Sequence, residues 1–293
     1  IRKVDRFRGP VLLRDLHGEG NDTINYTETT TYGFFSYARA EGGEGDDTIN
    51  VTADVWEVYG NDGDDKITID DAGTSKIYAG DGDDTVTISR SFSDNYTNTT
   101  QLGAGDDILD VSGWLGEIGD TFNAYGGVGN DTYIGRDVTK DNRSYDQFYG
   151  EGGDDSMTGG YADEAFYGGA DEDVLIGNDG DDILDGGGGA DTISGGAGFD
   201  TFQFHGVFEH DTITDYSNDE DILEFYSSDG SALNISDLIE SVNSDGNRVL
   251  STADGLSSVT LEGTAGITPV SGGLAISVVS QDGNIVTFGV FAD

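Results

Sequence analysis

The stretch GGGGADTISGGAGFDTFQF, residues 186–204, packs six glycines into its first eleven positions and sets Asp191 nine residues before Asp200. Ile193 and Phe202 follow the two aspartates at the same offset. Glycine at this density weakens a strand and costs backbone entropy. The regular spacing therefore points to something outside the chain that offsets the cost.

The same phase extends outward. From Gly150 the chain reads GEGGDDSMT, GGYADEAFY, GGADEDVLI, GNDGDDILD, GGGGADTIS and GGAGFDTFQ, each unit opening with glycine, at 150, 159, 168, 177, 186 and 195. Upstream the unit recurs with wider spacing, as HGEGNDTIN at 17, GGEGDDTIN at 42, GNDGDDKIT at 60, AGDGDDTVT at 79, LGAGDDILD at 102 and GGVGNDTYI at 126. Position six is aspartate in eleven of these twelve units and Glu164 in the other. Position eight is always apolar or aromatic: Ile24, Ile49, Ile67, Val86, Leu109, Tyr133, Met157, Phe166, Leu175, Leu184, Ile193 and Phe202. Flexible linkers show no such period. Repetition of this kind predicts a solenoid of stacked units.

Composition narrows the function. The 293 residues allow one large or two modest domains. Asp and Glu number 58 against 13 Lys and Arg, a formal charge of -45. That excludes ordinary nucleic-acid binding, which needs clustered bases, and disfavours anionic membrane surfaces. It also opposes compaction unless counterions are bound specifically. Apolar residues at 35%, with 14 Phe and 14 Tyr, supply a core and argue against disorder. There is no cysteine, and the histidines are His17, His205 and His210. No apolar run reaches the ~20 residues of a membrane span. The chain shows no secretory leader and starts at Ile1, so a fragment or processed product is expected. Arg2, Lys3, Arg6, Arg8 and Arg14 make a basic arm, and after Arg143 only Arg248 remains.

Calcium takes six to eight oxygens, from carboxylates and backbone carbonyls. A glycine-rich turn lets carbonyls point inward, the aspartate adds charge, and the residues after it form a short strand with position eight in the core. Two units make one coil. Stacked strands lie about 4.8 Å apart, so an ion between two stacked turns draws oxygens from both. The contiguous run supplies two such edges, 150–168–186 and 159–177–195. The units at 42, 60 and 79 supply one edge, with VTADVWEVY (51–59) and IDDAGTSKIY (69–78) on the other.

Over roughly 17–204 the pattern resembles the RTX, or haemolysin-type, nonapeptide G-G-x-G-x-D-x-U-x. The resemblance implies an all-β, right-handed parallel β-roll solenoid with a C-terminal β-rich cap, loaded with several Ca²⁺ ions. It implies ligands from positions two, four and six of one turn and one, three and six of the next. On this basis Gly43, Gly45 and Asp47 face Gly60, Asp62 and Asp65, with Gly63 at position four of the second turn and Asp22 in the unit before. The series continues through Gly80, Gly82 and Asp84, then Gly103, Gly105 and Asp107, then Gly127, Gly129 and Asp131, to Gly150, Gly152 and Asp155. In the two-edged run it involves Gly168, Ala170 and Asp173 on one turn and Gly177, Asp179, Gly180 and Asp182 on the next. Gly186, Gly188, Gly189 and Asp191 follow, then Gly195, Ala197, Gly198 and Asp200. GGYADEAFY departs from the pattern through Ala162 and Glu164, GGADEDVLI through Asp171, and His17, Ala79 and Leu102 replace the first glycine.

The expected organisation is a basic arm over 1–16, a roll over 17–204 (one-edged over 17–134, two-edged over 150–203) and a cap over 205–293. Residues 205–230 resemble the flank that follows such repeats. Asp215 and Asp221 there are either ligands of a last ion or turn residues. NISDLIESV (234–242) predicts a short helix with Asn234 as its cap. RVLSTAD, SSVTLEG, LAISVVS and NIVTFGVFAD predict strands. The family carries a C-terminal type I secretion signal; the ending GVFAD reverses its acidic-then-apolar order, which predicts a truncated or absent signal. The arm either caps its own roll or meets the acidic body of a neighbour.

No H-E-x-x-H, G-x-S-x-G or cysteine nucleophile is present, and the histidines read as turn or surface residues. In the family's proteases, lipases and alginate epimerases the chemistry sits in a separate domain. The aromatic residues Tyr32, Phe34, Phe35, Tyr37, Trp56 and Trp114 on the metal-free edge are either packing groups or carbohydrate contacts. The expectation is a secreted calcium-binding structural protein, a surface-layer, filament or adhesive component that folds outside the cell and contacts itself or extracellular polysaccharide. The alternative is an accessory domain of a secreted enzyme.

Overall fold

The computed structural model describes residues 14–16, 18–26, 39–52, 55–70, 74–89, 98–114, 121–136, 145–217, 220–227, 230, 238–263, 275–279 and 285–289. The arm over 1–13, His17, Tyr32, Phe34, Phe35, Tyr37, Asn234, the side chain of Trp56 and the last four residues lie outside them. The chain divides into two compact units, Ile1–Ala162 and Asp163–Asp293. Every described element is a strand. No helix of the described residues is long and apolar enough to cross a membrane.

In the first unit the strands alternate between two parallel sheets. One holds β1 (Arg14–Leu16), β3 (Arg39–Glu44), β5 (Val55–Asp62), β7 (Thr74–Asp81), β9 (Asn98–Ala104), β11 (Thr121–Val128) and β13 (Tyr145–Gly152), in that order. The other holds β2 (Thr23–Tyr26), β4 (Thr48–Val51), β6 (Lys66–Asp70), β8 (Thr85–Ser89), β10 (Ile108–Asp110), β12 (Thr132–Ile134) and β14 (Ser156–Thr158). Odd strands pair only with odd and even with even, the signature of a chain coiling through two facing sheets: a parallel β-roll.

Register follows the repeat. Ile24 pairs with Ile49, Ile49 with Ile67, Ile67 with Val86, Val86 with Leu109, Leu109 with Tyr133 and Tyr133 with Met157. All are buried. Position eight is thus a continuous apolar column, because successive side chains on a strand alternate faces; in the longer strands Val51, Ile69 and Ile88 add a second inward residue. Where the chain after β10 and β12 leaves the column, Trp114 stands edge-on to Phe122 with centroids 5.4 Å apart. Arg136 stacks over the Trp114 ring at 4.4 Å and pairs, fully buried, with Asp146. Trp114 is therefore a packing group, the first of the two readings open in the sequence.

The second unit repeats the plan. One parallel sheet runs β15 (Asp163–Ala170), β17 (Ile183–Gly188), β19 (Thr201–His205) and β21 (Ile222–Tyr226). The other begins β16 (Val174–Asp179), β18 (Thr192–Ala197) and β20 (His210–Ile213). Its columns are Phe166–Leu184–Phe202–Leu223 and Leu175–Ile193–Ile213, all buried.

β20 then pairs in parallel with β24 (Ser258–Leu261), which pairs antiparallel with β23 (Arg248–Thr252), itself antiparallel to β22 (Leu238–Val242). A separate antiparallel hairpin joins β25 (Ala275–Val279) and β26 (Ile285–Gly289). One expectation is overturned. Over 238–242 the anticipated helix is absent, and Leu238–Val242 is a strand paired residue for residue with Arg248–Thr252. A helix this short is marginal alone, while pairing with β23 satisfies its backbone and suits Leu238, Ile239 and Val242.

Candidate metal centre

In ten of the twelve units the turn leaves one strand and enters the next through two left-handed residues, at positions two and four of the nonapeptide. Gly43 and Gly45, Gly80 and Gly82, Gly103 and Gly105, Gly127 and Gly129, Gly187 and Gly189, and Gly196 and Gly198 all have positive φ. Asn61 (φ 83), Glu151 (φ 76) and Asn178 (φ 74) adopt it at position two, and Asp171 (φ 79) at position four. The Asp171 departure therefore keeps the turn. In the unit at 159, neither Gly160 nor Ala162 is left-handed, so that copy loses the turn as well as its consensus.

Stacking explains the glycines beyond φ. A Cβ on Gly80 would lie 1.9 Å from the carbonyl oxygen of Asn61 in the preceding coil. Position-four N–H groups bind the position-three carbonyls of the next coil, Gly45 to Asp62 at 2.7 Å, Gly129 to Gly152 at 2.9 Å and Gly180 to Ala197 at 3.0 Å. A carbonyl has two lone pairs, so each retains one for a further partner.

Beneath each turn lies the position-six carboxylate. Asp47, Asp65, Asp84, Asp107, Asp131, Asp155, Asp173, Asp182, Asp191 and Asp200 are each 1–2% exposed, and Glu164 is fully buried. They form ladders. In the first unit the N–H groups of Asp22, Asp47, Asp65, Asp84, Asp107 and Asp131 each donate to Oδ1 of the next aspartate, at 2.6–3.0 Å, ending on Asp155. The second unit has two ladders. Glu164, Asp182, Asp200 and Asp221 form one, at 2.8–3.2 Å. Asp173, Asp191 and Asp211 form the other, at 2.8 and 3.0 Å. Glu164 thus holds its place in the column although its turn is irregular.

The second carboxylate oxygen points elsewhere. In Asp65, Asp84, Asp107, Asp131, Asp182, Asp191, Asp200 and Asp211, Oδ2 is buried with no hydrogen-bond partner. A Cβ built on Gly60 would lie 2.2 Å from Asp65 Oδ2 and 2.3 Å from the carbonyl oxygen of Ala79 in the next turn. The same convergence recurs at Gly126 with Asp131 and Gly150, at Gly168 with Asp173 and Gly186, and at Gly177 with Asp182 and Gly195. Carboxylate and carbonyl oxygens from adjacent turns therefore face one small space.

Burial pushes the carboxyls of Asp84 and Asp211 up to about 8, those of Asp107, Asp131 and Asp182 to about 7, and those of Asp65 and Asp200 to about 6, from 3.8. The backbone N–H each accepts opposes the rise, and neighbouring carboxylates add to it. A buried carboxylate with no counter-charge takes a proton or a cation. Among the described residues no three acidic or histidine side chains converge on one point. The donor set is one carboxylate per turn plus main-chain carbonyls, and it suits a hard, oxygen-seeking ion such as Ca²⁺.

Three features escaped the sequence reading. The position-five residues form an outer, exposed ladder in the opposite sense, with Asp64 N–H on Asp46, Asp83 on Asp64, Asp106 on Asp83, Asn130 on Asp106 and Asp154 on Asn130. The recurrent D-D and N-D pairs were its signal. Asp211 joins a ladder outside the repeat phase, and nothing in a nine-residue count finds it. The Arg136–Asp146 pair unites residues of no repeat. Asp215 accepts from the N–H groups of Gly195 and Gly196 and from Ser194 Oγ. His205 binds Asp185 Oδ2 at 2.7 Å and His210 meets Ser258 Oγ at 3.0 Å, both exposed.

The family model of the RTX calcium-binding nonapeptide repeat matches four copies, over residues 39–55 and 167–202. No curated protein matches the chain. Among solved structures, the solution structure of the AlgE6R3 subunit from the Azotobacter vinelandii mannuronan C5-epimerase is 30% identical, over 47% of this chain and 84% of that one, with a TM-score of 0.35. The phased units and the four matched copies show that the chain carries RTX calcium-binding nonapeptide repeats.

Proposed function

We propose that this is a secreted structural protein whose folding is switched on by calcium outside the cell, as a surface-layer, filament or adhesive component. The observation that carries the reading is the buried Oδ2 of Asp65, Asp84, Asp107, Asp131, Asp182, Asp191 and Asp200, which has no hydrogen-bond partner. At cytosolic calcium these groups repel, and a chain of charge -45 stays open and exportable. At ~1 mM calcium, the range in which extracellular modules bind, ions occupy the space between stacked turns. They engage Asp47, Asp65, Asp84, Asp107, Asp131, Asp173, Asp182, Asp191 and Asp200 together with carbonyls of the flanking turns. Binding free energy then becomes folding free energy.

Circular dichroism during a calcium titration tests the switch. A cooperative gain of β signal is expected, and an unchanged spectrum overturns it. Electron microscopy in calcium and in chelator tests the structural role. Ordered assemblies that dissolve in chelator are expected. Dispersed monomers in calcium, with turnover of a polysaccharide or peptide by the longer gene product, favour an accessory module of a secreted enzyme instead.

A further inference from the structure

The repeat phase ends at residue 203, but the carboxylate ladder does not. Asp211 follows Asp191 by twenty residues, two more than a coil of two nonapeptides, and still takes the next place. Its Oδ1 accepts the Asp191 N–H at 3.0 Å, and Thr212 N–H binds the Asp191 carbonyl at 2.8 Å. The extra residues are absorbed by a turn unlike the others. Gly206 (φ 67) and Glu209 (φ 50) are its left-handed residues, three apart instead of two. This turn lies over the repeat turn 186–191: the Val207 carbonyl oxygen is 3.8 Å from the point where a Cβ on Gly188 would sit.

Asp211 is 2% exposed, and its Oδ2 has no hydrogen-bond partner. Its carboxyl group and that of Asp191 act directly on each other. Among the described residues of this unit no basic side chain pairs with either. Residues 163–293 contain one Arg or Lys, Arg248, which pairs with Glu240, and His210 turns its ring to Ser258. Two buried acidic groups facing each other without a counter-charge are unfavourable unless a cation lies between them.

We propose a further divalent-cation site between the repeat turn 186–191 and the non-repeat turn 205–211, with Asp191 and Asp211 as its carboxylate ligands. Main-chain carbonyls of the two turns complete an oxygen shell of the kind calcium takes. The inference rests on the calcium reading above and extends it past the nonapeptides. The ion fastens β20, and β20 carries β24, so the site couples the antiparallel strands to metal loading.

The test is the number of ions bound by the whole chain at saturating calcium, read by equilibrium dialysis with elemental analysis. Asp211→Asn keeps the acceptor for the Asp191 N–H and is expected to bind one ion fewer. Its amides at 210–213 and 258–261 are expected to exchange faster, with those of 60–70 unchanged. Asp245→Asn, an exposed turn residue, is expected to keep the full count. A crystal structure of the unmodified chain grown in calcium gives the same answer if the variant fails to fold. An ion touching Asp211 supports the site; filled repeat turns with none at Asp211 overturn it. An unchanged count in Asp211→Asn also overturns it while leaving the calcium reading intact. An unmodified chain that binds no ion overturns both.

Discussion

The two units solve one problem with different economy. In the first, successive ladder aspartates are 25, 18, 19, 23, 24 and 24 residues apart. In the second the steps are 18, 18 and 21 along one edge and 18 and 20 along the other. The bonds themselves hardly differ, 2.6–3.0 Å against 2.8–3.2 Å. The turn edge is thus held constant while the far edge of the longer coils in the first unit absorbs insertions. That far edge, where described, is closed by Trp114, Arg136 and Asp146, whereas both edges of the second unit carry carboxylate ladders. One unit pairs a carboxylate ladder with conventional packing; the other carries a ladder on each edge.

The broadest way to break this comparison is pH in chelator. The raised carboxyls mean that the folded, metal-free chain holds more protons than the unfolded one between about pH 4 and 8. Its stability is present below the ordinary carboxyl value and is lost as pH rises through about 6 to 8. Circular dichroism in chelator should therefore show more β structure at pH 5 than at pH 7.5. Calcium needs the deprotonated groups and should reverse the slope. Equal spectra at both pH values in chelator would remove the buried carboxylates from the account.

Next in size is Arg136→Ala, which strands Asp146 as a buried charge. Breaking such a pair costs about 3–5 kcal/mol. In calcium the first unit should melt earlier while hydrogen exchange in the second stays as it was. Faster exchange in both units alike contradicts the assignment of this pair to the first unit's far edge.

Asp84→Asn and Asp182→Asn compare single ladder sites. Each should weaken calcium binding at its own turn by at least the ~10–100-fold that outer-shell changes cost. The loss of order should be greater for Asp84, whose coil has no second ladder among the described residues. Site-resolved calcium titration by NMR distinguishes the two. The smallest effect is Asp171→Gly, which relieves a left-handed aspartate (φ 79). It should stabilise the calcium-loaded second unit by roughly 0.5–1 kcal/mol, visible as a small rise in melting temperature.

Much of this was legible in the sequence, because the repeat encodes position as well as composition. A fixed offset from Asp191 to Ile193 says which residue lies under the turn and which fills the core, and the structure puts both there. What was missed had no period to betray it. Asp211 is offset by two residues, and Arg136 and Asp146 meet only through the far edge. The segment at 238–242 has a helical cap pattern that loses to a neighbouring strand. Local signals report the repeat well and long-range pairing poorly.

The central claim is that cations between stacked turns hold the roll together. Hydrogen exchange of the turn amides at Asp47, Asp65, Asp84, Asp107, Asp131, Asp173, Asp182 and Asp191, measured near pH 7.5 in calcium and in chelator, tests it most directly. Protection in calcium that vanishes in chelator is the predicted result. Amides that stay protected in chelator at that pH would contradict it.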